Sequence, residues 1–230
     1  MRLCSPMIDW QPIILTLQLA LVTTVILFFL SIPMAYKLAF TQSSLKPIFE
    51  ALVSMPLVLP PTIVGFYLLL TFSPNSTIGY WLNNNFGINL AFSFEGLVVG
   101  SLIYSLPFMV QPLQAGFSKI SVKLIEAAQT MGRTNWEILI RVILPNIKPS
   151  IITAVVLSFA HTIGEFGVVL MIGGNIPGET KVASIAIYDE VEAMNYGAAN
   201  TYSVILFALS FLILVFIYSI NKGSFKSINS

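Results

Sequence analysis

A histidine and a glutamate stand four residues apart inside a long apolar stretch of this chain, at His161 and Glu165. On a helix this spacing places both side chains on one face, where they can share a hydrogen bond. A bare carboxylate in apolar surroundings is costly, so Glu165 is expected to face a cavity, to be paired or to be protonated. Two interpretations are open. Either the pair is a structural hydrogen bond, or Glu165, between Gly164 and Gly167 at a close helix contact, holds a gate beside a pathway.

Glu165 itself is a poor ligand for an anion, because a carboxylate repels negative charge. Lys and Arg are missing from the middle of every apolar stretch, which argues against a fixed, high-affinity anion site there. Attraction for an anion would have to come from backbone amides, helix ends or hydroxyl groups. The hydroxyl candidates are Ser101, Tyr104, Ser105, Ser158 and Thr162.

Composition identifies the surroundings of these residues as a membrane. Of 230 residues, 56% are hydrophobic and 9% are charged, with a mean hydropathy of +0.86, whereas soluble chains carry roughly 25% charged residues. The net charge of +1 gives no electrostatic footprint for nucleic acid. One cysteine, Cys4, and one histidine exclude a disulfide framework and clusters of Cys or His around a metal, so no metal or cofactor is expected.

Five apolar stretches are long enough to cross the hydrocarbon core as helices, which takes about 20 residues. We therefore predict an all-α, polytopic protein that forms a single membrane domain over residues 1–230. The first stretch is too long for a signal peptide and is expected to remain in the protein. The predicted spans are residues 13–36, 47–72, 96–117, 149–172 and 201–220.

Basic residues orient the spans, because Lys and Arg near a span stay on the cytoplasmic side. The connector 118–148 is rich in Lys and Arg, whereas 73–95 has none and 173–200 has only Lys181. We therefore expect an external N-terminus and a cytoplasmic C-terminus. The segment before the first predicted span has Arg2 as its one basic residue, which agrees with an external position. The remaining cytoplasmic markers are Lys37, Lys46, Lys222 and Lys226.

The connectors contain local signals of their own. Residues 122–141 are predicted to be helical with a break near Gly132, and residues 181–194 to form a short outer helix. Residues 76–89, rich in Asn and Gly, are predicted to be irregular.

Proline and glycine mark the predicted spans. Pro56, Pro60 and Pro61 remove backbone donors and should bend the second span, either as a structural kink or to line a pathway. Gly96 and Gly100, spaced four apart, favour close helix packing within one subunit or across a dimer.

The connector 118–148 holds an ordered motif that a simple loop does not need. Glu126, Ala127 and Ala128 are followed by Gly132 and, further on, by Leu144 and Pro145. Small residues permit close approach, glycine can adopt a left-handed turn, and Pro145 should stop the preceding helix. The motif predicts a helix, a turn and a second helix that docks into a groove of a partner. A plain amphipathic connector is the alternative interpretation.

This spacing resembles the cytoplasmic loop of ABC importer permeases, with Val142 where the pattern usually has Ile. The resemblance implies the ABC importer permease fold, a homodimer, and contact between Glu126 to Ile138 and two ATPase subunits. The chain has no nucleotide motif of its own: residues 173–180 imitate phosphate-loop spacing but carry Glu179 in place of the required Lys. The permease is therefore expected to be non-catalytic.

Three further segments, residues 57–65, 164–167 and 174–180, are similar to molybdate permease subunits. This similarity implies molybdate uptake across the bacterial inner membrane and an external oxyanion-binding protein that meets the outer connectors. Sulfate, thiosulfate and tungstate are the alternative substrates. The residues predicted to form the pathway or gate are Pro60, Pro61, Gly65, Gly164, Glu165 and Gly167.

Two other classes of protein are alternatives for this sequence. A proton- or sodium-driven transporter would use Glu165 and His161 as a relay, but such transporters usually have two matching halves with broken helices. An intramembrane enzyme would need a paired catalytic set, which one histidine and one acid hardly supply.

Overall fold

The computed structural model describes the backbone of residues 9–225 and the side chains of residues 9–219, and every element within them is helical. The side chains of Arg2, Cys4, Lys222 and Lys226 lie outside the described residues. In chain order the elements are α1 (Gln11–Phe40), α2 (Lys46–Val58), α3 (Pro61–Phe72), α4 (Thr77–Phe86), α5 (Phe94–Ser118), α6 (Val122–Thr130), α7 (Asn135–Ile138), a π-helical turn (Leu139–Ile143), α8 (Leu144–Asn146), α9 (Lys148–Ile163), α10 (Gly167–Gly173), α11 (Ala183–Glu192) and α12 (Tyr196–Phe225).

Three of these helices, α1, α5 and α12, are long and apolar enough to cross a membrane alone. Two bent pairs raise the number of candidate spans to five if each pair counts as one: α2 with α3, and residues 135–146 with α9. The prediction of a polytopic, all-helical protein is confirmed for the described residues, and five is the upper number of spans.

The second predicted span is not one continuous helix, because α2 and α3 meet at 108°. Leu59 and Pro60 are extended, with ψ values of 136° and 135°. A residue before proline avoids the helical region, and neither Pro60 nor Pro61 can donate a backbone hydrogen bond. Pro56 stays within α2. The predicted bend is therefore confirmed, and the Pro60–Pro61 pair marks its place.

The fourth predicted span is also interrupted. Helix α9 ends at Ile163, Gly164 follows as its C-cap, and α10 begins at Gly167. Glu165 consequently lies in a short non-helical joint between two helices. The prediction of a continuous helix through this residue was wrong, because the chain turns where glycine weakens the helix.

Helix α5 is the centre of the packing and contacts α1, α2, α9 and α10. One buried cluster joins α5 to the later part of α1 and to the segment before α9, including Phe117 and Ile143. A second joins α1, α5 and α10 to the outer connector, including Leu97 and Ile185. Helix α12 contributes little to either cluster, and most of its large apolar side chains are exposed.

The connector predictions had mixed outcomes. Residues 122–141 are helical with a break at Gly132, whose φ is +73°, and α11 occupies the predicted outer helix. The prediction that residues 76–89 are irregular was wrong, since α4 lies there. The Ser76 hydroxyl accepts a hydrogen bond from the backbone N–H of Gly79 at 2.9 Å, and Gly87 ends α4 with a φ of +66°. Ser76 and Gly87 are therefore the caps of this helix.

Candidate functional site

A cavity of about 480 Å³ surrounds the joint between α9 and α10 and is called the central pocket below. Glu165 is one of its lining residues, although the residue is only 4% exposed. The pocket opens to the surface beside Thr62 and Gly164, which are both exposed. Its lining residues are Pro61, Thr62, Tyr104, Ala160, His161, Gly164, Glu165, Phe166 and Gly167.

Hydrogen bonds from two other helices hold Glu165 in place. The Ser101 hydroxyl of α5 donates to Oε2 at 2.7 Å, and the Ser184 hydroxyl of α11 donates to the backbone carbonyl at 2.7 Å. The second carboxyl oxygen, Oε1, is buried and finds no hydrogen-bond partner among the described residues. Glu165 thus connects the joint both to α5, at the centre of the membrane domain, and to α11 in the outer connector.

His161 has partners of its own and is not bonded to Glu165. Its Nδ1 lies 2.9 Å from the Ser105 hydroxyl, and its ring stacks on Phe108 with centroids 3.9 Å apart. The predicted hydrogen bond within the pair was wrong, because α9 ends before Glu165 and the helical spacing of four no longer holds. Within the described residues, no three His, Cys, Asp or Glu side chains are grouped to hold a metal ion.

Glycines let α3 lie directly against α10. A Cβ atom on Gly65 would stand 2.7 Å from Met171 Cβ, and one on Gly167 would stand 2.8 Å from Pro61 Cβ. Gly164 is different, since no atom would lie closer than 3.8 Å to an added Cβ. The predicted close contact therefore exists at Gly167, whereas Gly164 ends α9. Pro60 is exposed at the start of α3 and does not line the pocket.

Most of the predicted anion-binding hydroxyls point elsewhere. Ser101 and Ser105 bond Glu165 and His161 across the helix interface, and Ser158 and Thr162 are fully buried. Tyr104 is the predicted hydroxyl that lines the pocket. Thr62, which sequence reasoning missed, also lines it, and its position directly after two prolines was the available signal.

The glycine-rich run after α10 is a closed turn. The buried Thr180 hydroxyl donates to the backbone carbonyl of Gly173 at 2.7 Å and accepts from the N–H of Ile176 at 2.9 Å. Lys181 forms an ion pair with Asp189 of α11. These contacts give residues 174–180 a structural role as the base of the outer connector.

Residues 119–147 contain the motif that was predicted in the connector 118–148, and they are called the coupling segment below. Glu126 and Ala127 of α6 are exposed, whereas Ala128 is 7% exposed and packs into the chain's own core beside Phe117. Space is open around Gly132. Ala128 therefore supports the segment from within, and the surface available to a partner includes Glu126, Ala127 and Gly132.

The second half of the coupling segment begins with reciprocal capping. The Thr134 hydroxyl accepts from the N–H of Glu137, and the Glu137 carboxylate accepts from the N–H of Thr134 at 3.1 Å. This backbone hydrogen bond, together with Arg133, holds the pKa of the Glu137 carboxyl below its usual value. Exposed apolar side chains flank the cap, with Met131 77% and Trp136 68% exposed. Sequence reasoning missed both, although apolar residues in a charged loop were a signal.

Pro145 does not stop the helix that precedes it, contrary to the prediction. A π-helical turn at Leu139–Ile143 leads directly into α8, which contains Leu144 and Pro145. Wider π-type bonding changes the hydrogen-bond register just before the proline, so its missing N–H is tolerated there. The chain instead bends by 76° after Asn146, where α9 begins.

Comparisons with known proteins agree with this architecture. The family model described as "Binding-protein-dependent transport system inner membrane component" matches residues 27–224. The chain is 49% identical over 212 residues to the molybdenum transport system permease protein ModB of Azotobacter vinelandii, covering 92% of this chain and 93% of that one. It is 34% identical to Escherichia coli ModB over 184 residues, covering 80% of each. It is also 34% identical to the E. coli sulfate transport system permease protein CysT over 176 residues, covering 76% of this chain and 62% of CysT.

Solved structures share the fold. The inward-facing MetNI methionine ABC transporter matches with a TM-score of 0.72 at 20% identity, covering 92% of this chain and 94% of that one. A bacterial ABC transporter that imports the acidic polysaccharide alginate matches with a TM-score of 0.77 at 19% identity, covering 96% and 85%. The chain therefore has an ABC importer permease fold and belongs to the family of inner membrane components of binding-protein-dependent transport systems.

Proposed function

We propose that this chain is the permease subunit of an ABC importer and forms the transmembrane pathway for molybdate. The observation that carries the proposal is the 49% identity with a molybdenum transport permease along nearly the full length of both chains. Tungstate has similar chemistry and is an alternative cargo. Sulfate is a second alternative cargo because the chain also matches CysT, but that alignment covers only 62% of CysT.

ATP hydrolysis in this proposal takes place in two partner subunits, each docked on a coupling segment. Helix α6 and the start of α7 are exposed and carry Glu126, Met131 and Trp136 on their surface. Exposed apolar side chains beside charged ones suit a helix that inserts into a groove of another protein. Leu144, which packs against the core cluster that contains Phe117, would help to hold this element against the membrane domain, and Pro145 is exposed beside it.

A second copy of the chain is proposed to close the central pocket. His161 and Tyr104 line a cavity that is open on one side, and polar groups at membrane depth face protein or water instead of lipid. Two copies related by a twofold axis would place their pockets on a shared pathway. One membrane domain per subunit, with the N-terminus outside and the C-terminus in the bacterial cytoplasm, completes this arrangement.

The gate is proposed to lie where α3 meets the joint between α9 and α10. Pro60 and Pro61 end one rigid segment there, while Gly65 and Gly167 keep α3 and α10 in direct contact. Rocking of the two subunits would move the segments on either side of this point as rigid bodies. An external binding protein would deliver the oxyanion to the outer connectors, which α4 and α11 shape.

This geometry supports the proton-driven alternative less well. A relay needs His161 and Glu165 within hydrogen-bond reach of each other, and each is bonded instead to a serine of α5. Replacement of Glu165 by Gln separates the two classes, since uptake should remain dependent on ATP if the chain is an ABC permease.

ATP hydrolysis by the purified transporter tests the proposal. The chain is co-purified with its ATPase in lipid, and molybdate-loaded and sulfate-loaded binding proteins are added in turn. We expect stimulation by the molybdate-loaded protein. Stimulation by the sulfate-loaded protein alone would reassign the substrate, and failure to co-purify any ATPase would contradict the assignment to ABC importers.

A further inference from the structure

A row of polar side chains connects α2 to α5, away from the central pocket. Gln111 donates from Nε2 to the Ser54 hydroxyl at 3.0 Å, and Gln114 donates from Nε2 to Glu50 Oε1 at 2.6 Å. The Lys46 ammonium lies 3.9 Å from the same carboxyl oxygen. The two glutamine contacts join residues 57 and 64 positions apart in sequence, so they are a tertiary feature of the fold, whereas Lys46 and Glu50 are neighbours on α2.

The row continues one face of α5 beyond the central pocket. Tyr104, Phe108 and Gln111 follow one another at helical spacings of four and three, which keeps them on the same side. At 1.5 Å per residue, Gln111 lies about 10 Å from Tyr104 toward the coupling segment. A substrate that leaves the central pocket in that direction would meet Gln111 next.

Gln111 is exposed and Ser54 is half-buried in the isolated chain. Both belong to the apolar stretches that cross the membrane, where exposed polar groups face a water-filled cavity or another protein chain. A glutamine amide has two N–H donors, and Ser54 uses one of them. Within the part of the chain that the structure describes, the second N–H of Gln111 and the hydroxyl proton of Ser54 have no acceptor, so both can bind a ligand.

We propose that Gln111 and Ser54 form a transit site for a tetrahedral oxyanion on the coupling-segment side of the central pocket. This site rests on the proposed function of the chain as an oxyanion permease. Two uncharged donors bind a dianion without holding it permanently, which suits a site that must release its ligand.

The nearest charges do not oppose this assignment. Glu50 lies one helical turn from Ser54 and would repel an anion on its own. Its carboxylate accepts a hydrogen bond from Gln114 and lies beside Lys46, so its charge is offset locally. Lys46 stands at the start of α2, where it would attract a departing anion.

The test is ATP-dependent molybdate uptake by the full transporter in proteoliposomes with three variants of the chain. Gln111→Glu replaces a donor with a negative charge, and uptake should fall by about tenfold or more. Gln111→Leu removes the donors without adding charge, and uptake should fall by about threefold. Gln42→Glu makes the same chemical change in the exposed connector between α1 and α2, and uptake should stay at the wild-type rate.

Uptake per transporter that retains its ATPase separates anion contact from a structural role. A carboxylate at position 111 is costly in an apolar stretch, so Gln111→Glu could also lower uptake by weakening the fold. If Gln111 is only structural, uptake will fall in proportion to the ATPase that each variant retains, and that result overturns the transit site. Wild-type rates in both variants also overturn it. Absence of ATP-dependent molybdate uptake by the wild-type transporter instead overturns the proposed function. The amount of ATPase co-purified with each variant reports correct folding.

Discussion

The coupling segment and the central pocket are built by opposite means. In the coupling segment, Thr134 and Glu137 are three residues apart and cap each other, and most of the surface is exposed. In the central pocket, Ser101 reaches Glu165 across 64 positions, and Ser105 reaches His161 across 56. The first region is capped by local hydrogen bonds and anchored by a few buried side chains such as Ala128, whereas the polar contacts of the second depend on the packing of α5 against α9 and α10.

This difference suits the two proposed roles. An exposed segment with its own caps can keep its shape while a partner pulls on it. The pocket, in contrast, changes whenever α5 and the joint between α9 and α10 shift, because its hydrogen bonds cross that interface. A substitution in the coupling segment should therefore affect transport without unfolding the protein, whereas a substitution around the pocket should affect stability as well.

The largest effect is expected from Gly132→Pro in the coupling segment. Proline holds φ near −65° and cannot adopt the +73° observed here, a conflict of about 3 kcal/mol or more. Uptake should fall by about a hundredfold, while the protein still accumulates in the membrane. Gly132→Asn is the control, because asparagine tolerates the left-handed region and should retain most uptake. Normal uptake by Gly132→Pro would overturn the coupling role of this segment.

Gly167→Ala should destabilise the pocket by about 1–3 kcal/mol, because the new methyl group would overlap Pro61. Gly164→Ala is the matched control, since the nearest atom to an added Cβ is 3.8 Å away. Thermal unfolding in detergent should show a lower midpoint for Gly167→Ala alone. Equal midpoints would mean that α3 does not lie this close to α10.

Ser101→Ala should cost about 1–2 kcal/mol, because it leaves both oxygens of the buried Glu165 carboxyl without a partner. Ser158→Ala is the control on α9. The Ser158 hydroxyl is buried and has no hydrogen-bond partner among the described residues, so its loss should be nearly neutral. Thermal unfolding in detergent measures both variants. A larger fall in the midpoint for Ser158→Ala than for Ser101→Ala would contradict the hydrogen bond assigned between Ser101 and Glu165.

Thr134→Ala should have the smallest effect, weakening the start of α7 by about 1 kcal/mol through loss of the cap. Hydrogen exchange at residues 135–138 should rise, while the unfolding midpoint stays constant. The Glu137 half of the cap depends on pH. Because its pKa is lowered, its contribution should be complete from about pH 5 to 8 and disappear only as the pH falls through that lowered value. Loss of protection at these amides already near neutral pH, after correction for the intrinsic rise of exchange with pH, would contradict this.

Local patterns allowed much of the fold to be predicted. Hydropathy located the apolar helices, the Pro60–Pro61 pair located the bend between α2 and α3, and Gly132 located the break in the coupling segment. The prediction failed at α4, where Asn and Gly suggested a loop, although Asn83 lies inside the helix and Gly87 ends it. It also failed at Pro145, because a π-helical turn has no recognisable sequence signal.

The types of the predicted pathway residues revealed only part of their arrangement in space. Their types indicated a close helix contact in a continuous span, and the structure instead brings Pro61, Gly164, Glu165 and Gly167 to one cavity at an unpredicted joint. Nothing in the chain indicated that Glu165 would bond Ser101, or that Gln111 would bond Ser54. Such pairs depend on the rotation of two packed helices, and a change of one residue in register would separate them.

Apolar length, charge position and glycine spacing each act within a single segment, so they were enough to predict a helical membrane protein with an ordered connector. The polar partners were not predictable in this way. Ser101 and Ser105 were candidates for binding an anion, but they bond Glu165 and His161 once α9 and the joint lie beside α5, and Gln111 meets Ser54 only when α2 packs on α5. Buried hydrogen bonds between helices are chosen by the packing of their apolar faces, and those faces are distant in the chain.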